Sequence, residues 1–174
     1  MTLPKIAWAA FVAVLAAGCT GSTSKTKDAD ADPEIRKAFT KLQTAVKSRS
    51  GEKIWEFLDS DSQQDADRVA KAVRESFAKA DPAKKQELVK KVGLSEEKFE
   101  ELNGRTILES ELFYRFDEHD ELADVKGLEK IDVKGNTAKV SFKDPDNEEK
   151  MMSMKMQREE GHWRFQVAMP KAPD

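Results

Sequence analysis

The chain has 174 residues, one cysteine, 36 % charged and 39 % hydrophobic residues, and a formal net charge of −3. That length suits one domain, since domains typically run to roughly 100–150 residues. A single cysteine excludes an internal disulfide and a zinc-finger site. The acidic balance argues against a nucleic-acid partner, whose phosphates call for clustered excess Lys and Arg.

The first element is an address. Lys5 supplies a positive start, Ile6 to Ala17 is an unbroken apolar run, and Ala16-Ala17-Gly18 bring small residues up to Cys19. The run is too short for a bilayer-spanning helix, which needs about 20 residues, and suits the apolar region of a signal peptide. Residues 1–18 are therefore expected to be a signal peptide. Residues 19–32 contain no large apolar side chain, which predicts a flexible tether. Residues 33–170 remain for a single domain of about 140 residues, enough for one core.

Asp32-Pro33 reads as an N-cap followed by proline at the first helical position. Ile35, Phe39, Leu42 and Val46 recur at helical spacing, which predicts a helix from about Pro33 to Arg49. Ser50-Gly51 breaks it, and Ile54, Trp55, Phe57 and Leu58 form an apolar patch on a short second helix. Ser60 and Gln63 have capping-box spacing, and Ala66, Val69, Val73 and Phe77 carry a third helix to about Ala80. Asp81-Pro82 starts a fourth helix, in which Leu88, Val89 and Val92 face inward and Gly93 is the stop. Ser95 caps a helix with Phe99 and Leu102, ended by Asn103-Gly104. Ile107, Leu108, Leu112, Phe113 and Phe116 predict one more helix.

From about Glu118 the period changes. Ile131 and Val133 alternate, as do Ala138, Val140 and Phe142, then Met152, Met154 and Met156, then Trp163, Phe165 and Val167. Turns fall at Gly135-Asn136, Asp144-Pro145-Asp146-Asn147 and Glu160-Gly161. Four strands with short turns predict an antiparallel meander with one apolar face. Helices followed by strands predict an α+β domain, with N-terminal helices packed on a C-terminal four-stranded sheet.

The layout of Lys5, the apolar run, Ala16-Ala17-Gly18 and Cys19 resembles the bacterial lipoprotein signal. That resemblance implies cleavage before Cys19, lipid on its thiol and new amino group, and a membrane partner through that lipid. Thr20 in place of Asp favours the outer membrane of the cell envelope. The order of helices then meander, with GNTAKVSF leading to GHWRFQV, resembles small lipoproteins of the nuclear-transport-factor-two-like and cystatin-like type. In that group a curved sheet wraps a helix into a cone. Enzymatic members of the wider group carry an Asp/His pair inside the cone; here Val, Phe, Met and Trp fill the strand faces, and that chemistry does not transfer.

The function expected is a non-enzymatic, lipid-anchored envelope module without a cofactor. Its partner is a protein, a peptide or a small apolar ligand held at the sheet by Trp55, Phe113, Trp163 and Phe165. The first alternative is a Cu(I) site on the methionine strand, with Met152, Met154 and Met156 supplying soft thioethers and His162 an imidazole. Met also fills irregular core space, and the same alternation suits plain packing. The second alternative is a small hydrolase or isomerase using His119, which sits among Asp117, Glu118, Asp120 and Glu121. A charged run of that kind otherwise makes a solvated loop. Asp59, Asp61, Asp65 and Asp67 do not make a calcium loop, because its sixth and twelfth places hold Gln64 and Ala70. Helix capping accounts for those acids. Lys84-Lys85 and Lys90-Lys91, mixed with Glu87, Glu96 and Glu97, read as a solvated helix face.

Overall fold

The computed structural model describes residues 25–172. The expected signal peptide and Cys19 lie outside the described residues. Helix α1 (Lys25–Lys47) is followed by α2 (Gly51–Trp55), α3 (Ser60–Lys79), α4 (Pro82–Val92), α5 (Glu96–Glu100), α6 (Gly104–Ile107) and α7 (Glu111–Tyr114). A 3-10 helix (Phe116–Asp124) leads into β1 (Lys130–Lys134), β2 (Thr137–Lys143), β3 (Met151–Glu159) and β4 (His162–Gln166). The strands pair antiparallel in the order β1-β2-β3-β4. The expected α+β architecture of helices followed by a four-stranded meander is present.

Helix α1 begins at Lys25 rather than at Pro33, so residues 25–32 form its first turns. Pro33 lies inside the helix, and Asp32 accepts a hydrogen bond from Arg36 Nε at 2.6 Å, one turn on, instead of serving as a cap. Proline removes one helical N–H, yet the helix runs on through it from Lys25 to Lys47. Ile35, Phe39, Leu42 and Val46 are all buried, as their spacing predicts. Phe39 is the junction of the two layers, with ring centroids 5.6 Å from Phe142 and 6.1 Å from Phe165.

Several boundaries differ from the sequence-based expectation. Asp59, not Ser60, caps α3, accepting from the Ser62 N–H at 2.9 Å. The side chain of Gln63 instead donates to the Trp55 carbonyl at 2.9 Å, tying α3 back to α2. The helix opened by Ser95 stops at Glu100, and Asn103 caps the next one, accepting from the Arg105 and Thr106 N–H groups. The single helix expected through Phe116 is two short ones, because the buried Ser110 donates to the Ile107 carbonyl at 2.6 Å and accepts from the Phe113 N–H. A side chain that bonds the local backbone this way competes with helix continuation. Helix α4 follows the expectation: Asp81 caps it, Pro82 opens it, and Gly93 closes it at φ 73°, a left-handed conformation that suits glycine. At Gly51 the need is space, since an added Cβ would lie 1.9 Å from the Arg105 carbonyl oxygen.

The sheet sorts its residues by parity. Ala138, Val140, Phe142, Met156, Trp163 and Phe165 are buried on the face toward the helices. At roughly 25 cal/mol per Å² of apolar surface, this face and its α1 counterpart carry the main burial energy of the sheet.

Candidate functional site

Strand β4 is shorter than β3. Their pairing runs from Lys155↔Gln166 to Glu159↔His162, so Met151–Met154 extend past the end of β4. The cause is local. Along β4, Phe165 donates to the Phe57 carbonyl at 2.7 Å and Asp59 donates to the Phe165 carbonyl at 2.9 Å, so the chain before α3 runs beside the strand. Two residues on, the Val167 N–H donates to the Ser62 hydroxyl at 2.9 Å in a buried contact. That bond draws the chain off the ladder toward α3 and leaves the β3 edge without a strand partner from Met151 to Met154.

A cleft of about 430 Å³ occupies this place. Its apolar wall is made by Leu122, Val125, Phe142, Met152, Met154 and Val167. Its polar rim includes Asp61, Asp65, Glu121 and Lys155, with Ser153 on the strand edge and Ala168 at the mouth. Asp65 is ion-paired with Arg68. The volume falls within the usual range for small-ligand sites, roughly 300–1,000 Å³.

His119 lines the same cleft and is only 5 % exposed. Its Nδ1 is 3.0 Å from the Phe113 carbonyl oxygen. A carbonyl only accepts, so Nδ1 carries a proton. The Phe113 ring packs 4.4 Å from the imidazole and the Phe116 ring 5.9 Å from it. His119 therefore sits in a buried 3-10 turn, not in the solvated loop its charged neighbours suggest. Gln43 on α1 holds that segment in place, donating to the Leu122 carbonyl at 3.0 Å and the Val125 carbonyl at 2.7 Å.

The turn between β2 and β3 supplies Pro145 as another wall. Asp144 pins that turn. Its carboxylate binds Lys150 Nζ at 2.8 Å and accepts from the Asp146 N–H at 2.9 Å and the Asn147 N–H at 3.2 Å. The Lys150 ammonium first, then the backbone donors, hold this carboxyl below its ordinary range.

The four aromatics expected at a ligand site are not brought together, and none lines this cleft. Phe113 and Phe165 are fully packed in the core. Trp163 is 4 % exposed, with Arg158 5.9 Å from its ring and an indole N–H that has no hydrogen-bond partner among the described residues. Trp55 is half-buried, with the Arg105 guanidinium 4.8 Å over its ring. Inward strand positions beside Phe39 are core positions, and this is why the aromatics there are consumed by packing.

The expected copper set is also split. Met152 and Met154 line the cleft, Met156 is buried opposite Phe165, and His162 projects from the other face of the sheet opposite Glu159. A soft-metal site in this fold would have to draw on Met152, Met154 and His119. Among the described residues, no group of three or more His, Cys, Asp or Glu is placed to hold a metal ion. Three of the four acids near α3 act within the fold: Asp59 caps the helix, Asp65 pairs with Arg68, and Asp67 accepts from the Gly104 N–H at 2.9 Å.

The wall residues Leu122, Val125 and Val167 were not expected at a site. A three-residue period through Phe116, His119, Leu122 and Val125 is the signal that marks them, since side chains at i and i+3 eclipse in a 3-10 helix. No protein-family model matches the chain, and neither a curated protein nor a solved structure matches it.

Proposed function

We propose that this protein is a non-enzymatic, lipid-anchored module of the cell envelope, with outer-membrane placement, whose cleft beside β3 holds a short extended peptide or a similarly elongated apolar ligand. The observation that carries the binding reading is the coincidence of an apolar wall and an unpartnered strand edge in one cleft. An extended ligand there gains main-chain hydrogen bonds from Met151–Met154 and apolar contact from Met152, Met154 and Phe142. The anchoring reading stands on Cys19, the one cysteine of the chain, at the end of a signal-like segment. No helix among the described residues is long and apolar enough to cross a membrane. On this reading the domain is a variant of the helix-then-meander lipoproteins it resembles.

Two experiments test the two halves separately. Replacing Cys19 with Ala releases the protein from membranes sedimented at about 1 M salt, where surface electrostatics are screened; continued sedimentation there refutes the anchor. A neutral naphthylamine fluorophore binds saturably to the protein, and Ala168→Trp at the exposed mouth of the cleft abolishes that binding while the fold is kept. Equal binding by parent and variant refutes the cleft as the site.

The position of His119 in the cleft wall supports a second reading, a small hydrolase or isomerase that uses this residue as its general base. His119→Gln keeps much of the ring's volume and removes the base. An extract-derived activity that survives this change rules that reading out.

A further inference from the structure

The face of the sheet turned away from the helices is built from the other half of the strand residues. It carries Lys130, Lys134, Lys139, Lys143, Lys155 and Arg164, against the carboxylates of Asp132 and Glu159. Six cations against two anions leave an excess of four positive charges among the outward strand residues of a chain whose net charge is −3, with Glu148 near Lys143 and Asp61 and Asp65 beside Lys155 at the margin of the face. Glu159 is turned to Ser60, accepting from its hydroxyl at 2.8 Å. None of the six cations forms an ion pair with a described residue.

Lys139 and Lys155 stand directly opposite each other in the β2–β3 register. Like charges at directly opposed positions destabilise a sheet. Asp132 opposes Lys139 on its other side, whereas Lys155 lies between Lys139 and Gln166 with no anion directly opposite it in the register, which leaves room for an external one. Strands about 5 Å apart, with same-face side chains about 7 Å apart along each, spread these cations as a flat array. Met151 lies on the same face opposite Lys143 and is 52 % exposed, the one large hydrophobic side chain so exposed among the described residues.

We infer that this basic face docks on an anionic lipid surface, with the cations on headgroup phosphates and Met151 entering the headgroup layer. A flat array of cations beside an exposed apolar side chain matches a bilayer surface. A single-stranded nucleic acid fits less well, because no Phe, Tyr or Trp occupies the outward positions as a stacking platform. The inference rests on the anchored reading only for why a bilayer is within reach.

The test uses the full chain with Cys19→Ser, so that no lipid is attached and the anchor does not contribute. Co-sedimentation is measured with phosphatidylcholine vesicles and with vesicles in which about a quarter of the lipid is phosphatidylglycerol, at about 0.1 M and about 1 M salt. The expected result is stronger binding to the anionic vesicles, lost at high salt. Neutralising basic residues weakens such binding at about 1 kcal/mol each. The combined variant Lys134→Gln, Lys139→Gln, Lys143→Gln should therefore bind anionic vesicles at least tenfold more weakly, with unchanged binding to neutral ones. Equal binding to both vesicle types, or an unaffected triple variant, overturns the inference. So does tighter binding to a single-stranded oligonucleotide than to anionic vesicles. The anchored reading fails separately, if Cys19→Ala protein still sediments with cell membranes washed at about 1 M salt, where docking through the basic face is screened out.

Discussion

The two faces of the sheet are alternate residues of the same four strands, and they are opposite in chemistry. Toward the helices lie Val140, Phe142, Met156, Trp163 and Phe165, all at or below 4 % exposure. Away from them lie Lys134, Lys139, Lys143, Lys155 and Arg164. A period of two separates them, with Arg158, opposite Trp163 and paired with Glu34 of α1, as the inward cation, so folding constrains one set and leaves the other open to function. The cleft is the place where this separation breaks down. There β4 has ended, and Met152 and Met154 from the inward set share a cavity with Ser153 and Lys155 from the outward set.

Substitutions on the two faces should differ sharply. Phe165→Ala removes a fully buried ring that Phe39 packs against. It should cost on the order of 3–5 kcal/mol in urea unfolding. If the loss is under about 1 kcal/mol, the inward face is not the core described.

Next in size is an alkaline effect on the helical side. Tyr114 is buried, its hydroxyl donates to the Val46 carbonyl at 3.4 Å, and burial pushes its pKa up to about 12 from 10.0. A raised value in the folded state means the contribution is whole below pH 10 and is lost as pH climbs from 10 toward 12. Tyr114→Phe should flatten the stability profile over that window while leaving the profile near neutrality almost parallel to the parent's.

On the acid side, the depressed Asp144 carboxyl contributes stability above the ordinary carboxylate range, lost as pH falls through its lowered folded value. Asp144→Asn should therefore lower the urea midpoint at pH 7, with the difference from the parent closing toward pH 2. A gap that is constant with pH would mean that Lys150 does not hold this turn through charge.

The smallest effect is expected on the outward face. Lys139→Gln should change stability by no more than about 0.5 kcal/mol, because it removes both the opposition to Lys155 and the attraction to Asp132. A clear destabilisation would show that these lysines serve the fold.

The parts of the molecule that read well from the sequence are those with a single dominant period. Four strands alternating over Ile131 to Val167, and a helix cap such as Asp81-Pro82, have one local solution each. The stretch from Ile107 to Asp124 does not, because the hydroxyl of Ser110 interrupts a helical pattern and a three-residue period follows. The cleft was legible only in fragments. His119 and the methionines are conspicuous in the sequence, but their meeting depends on Ser62 capturing Val167, a contact between residues 105 positions apart. The basic face was open to reading, since Lys130, Lys134, Lys139, Lys143, Lys155 and Arg164 all fall on outward positions. The overall charge of −3 obscures it because the acidic residues are concentrated elsewhere.

The separation of roles between the faces has a direct reporter in the six methionines. In methyl-labelled methionine spectra, the neutral naphthylamine probe should shift Met152 and Met154, in the cleft, and leave Met151 nearly unmoved. Anionic vesicles should broaden Met151, on the outward face, well before Met154. Met156, in the core, should respond to neither. A probe that moves Met151 while Met152 and Met154 stay fixed, or vesicles that broaden all four alike, would contradict a cleft and a docking face carried by alternate residues of one sheet.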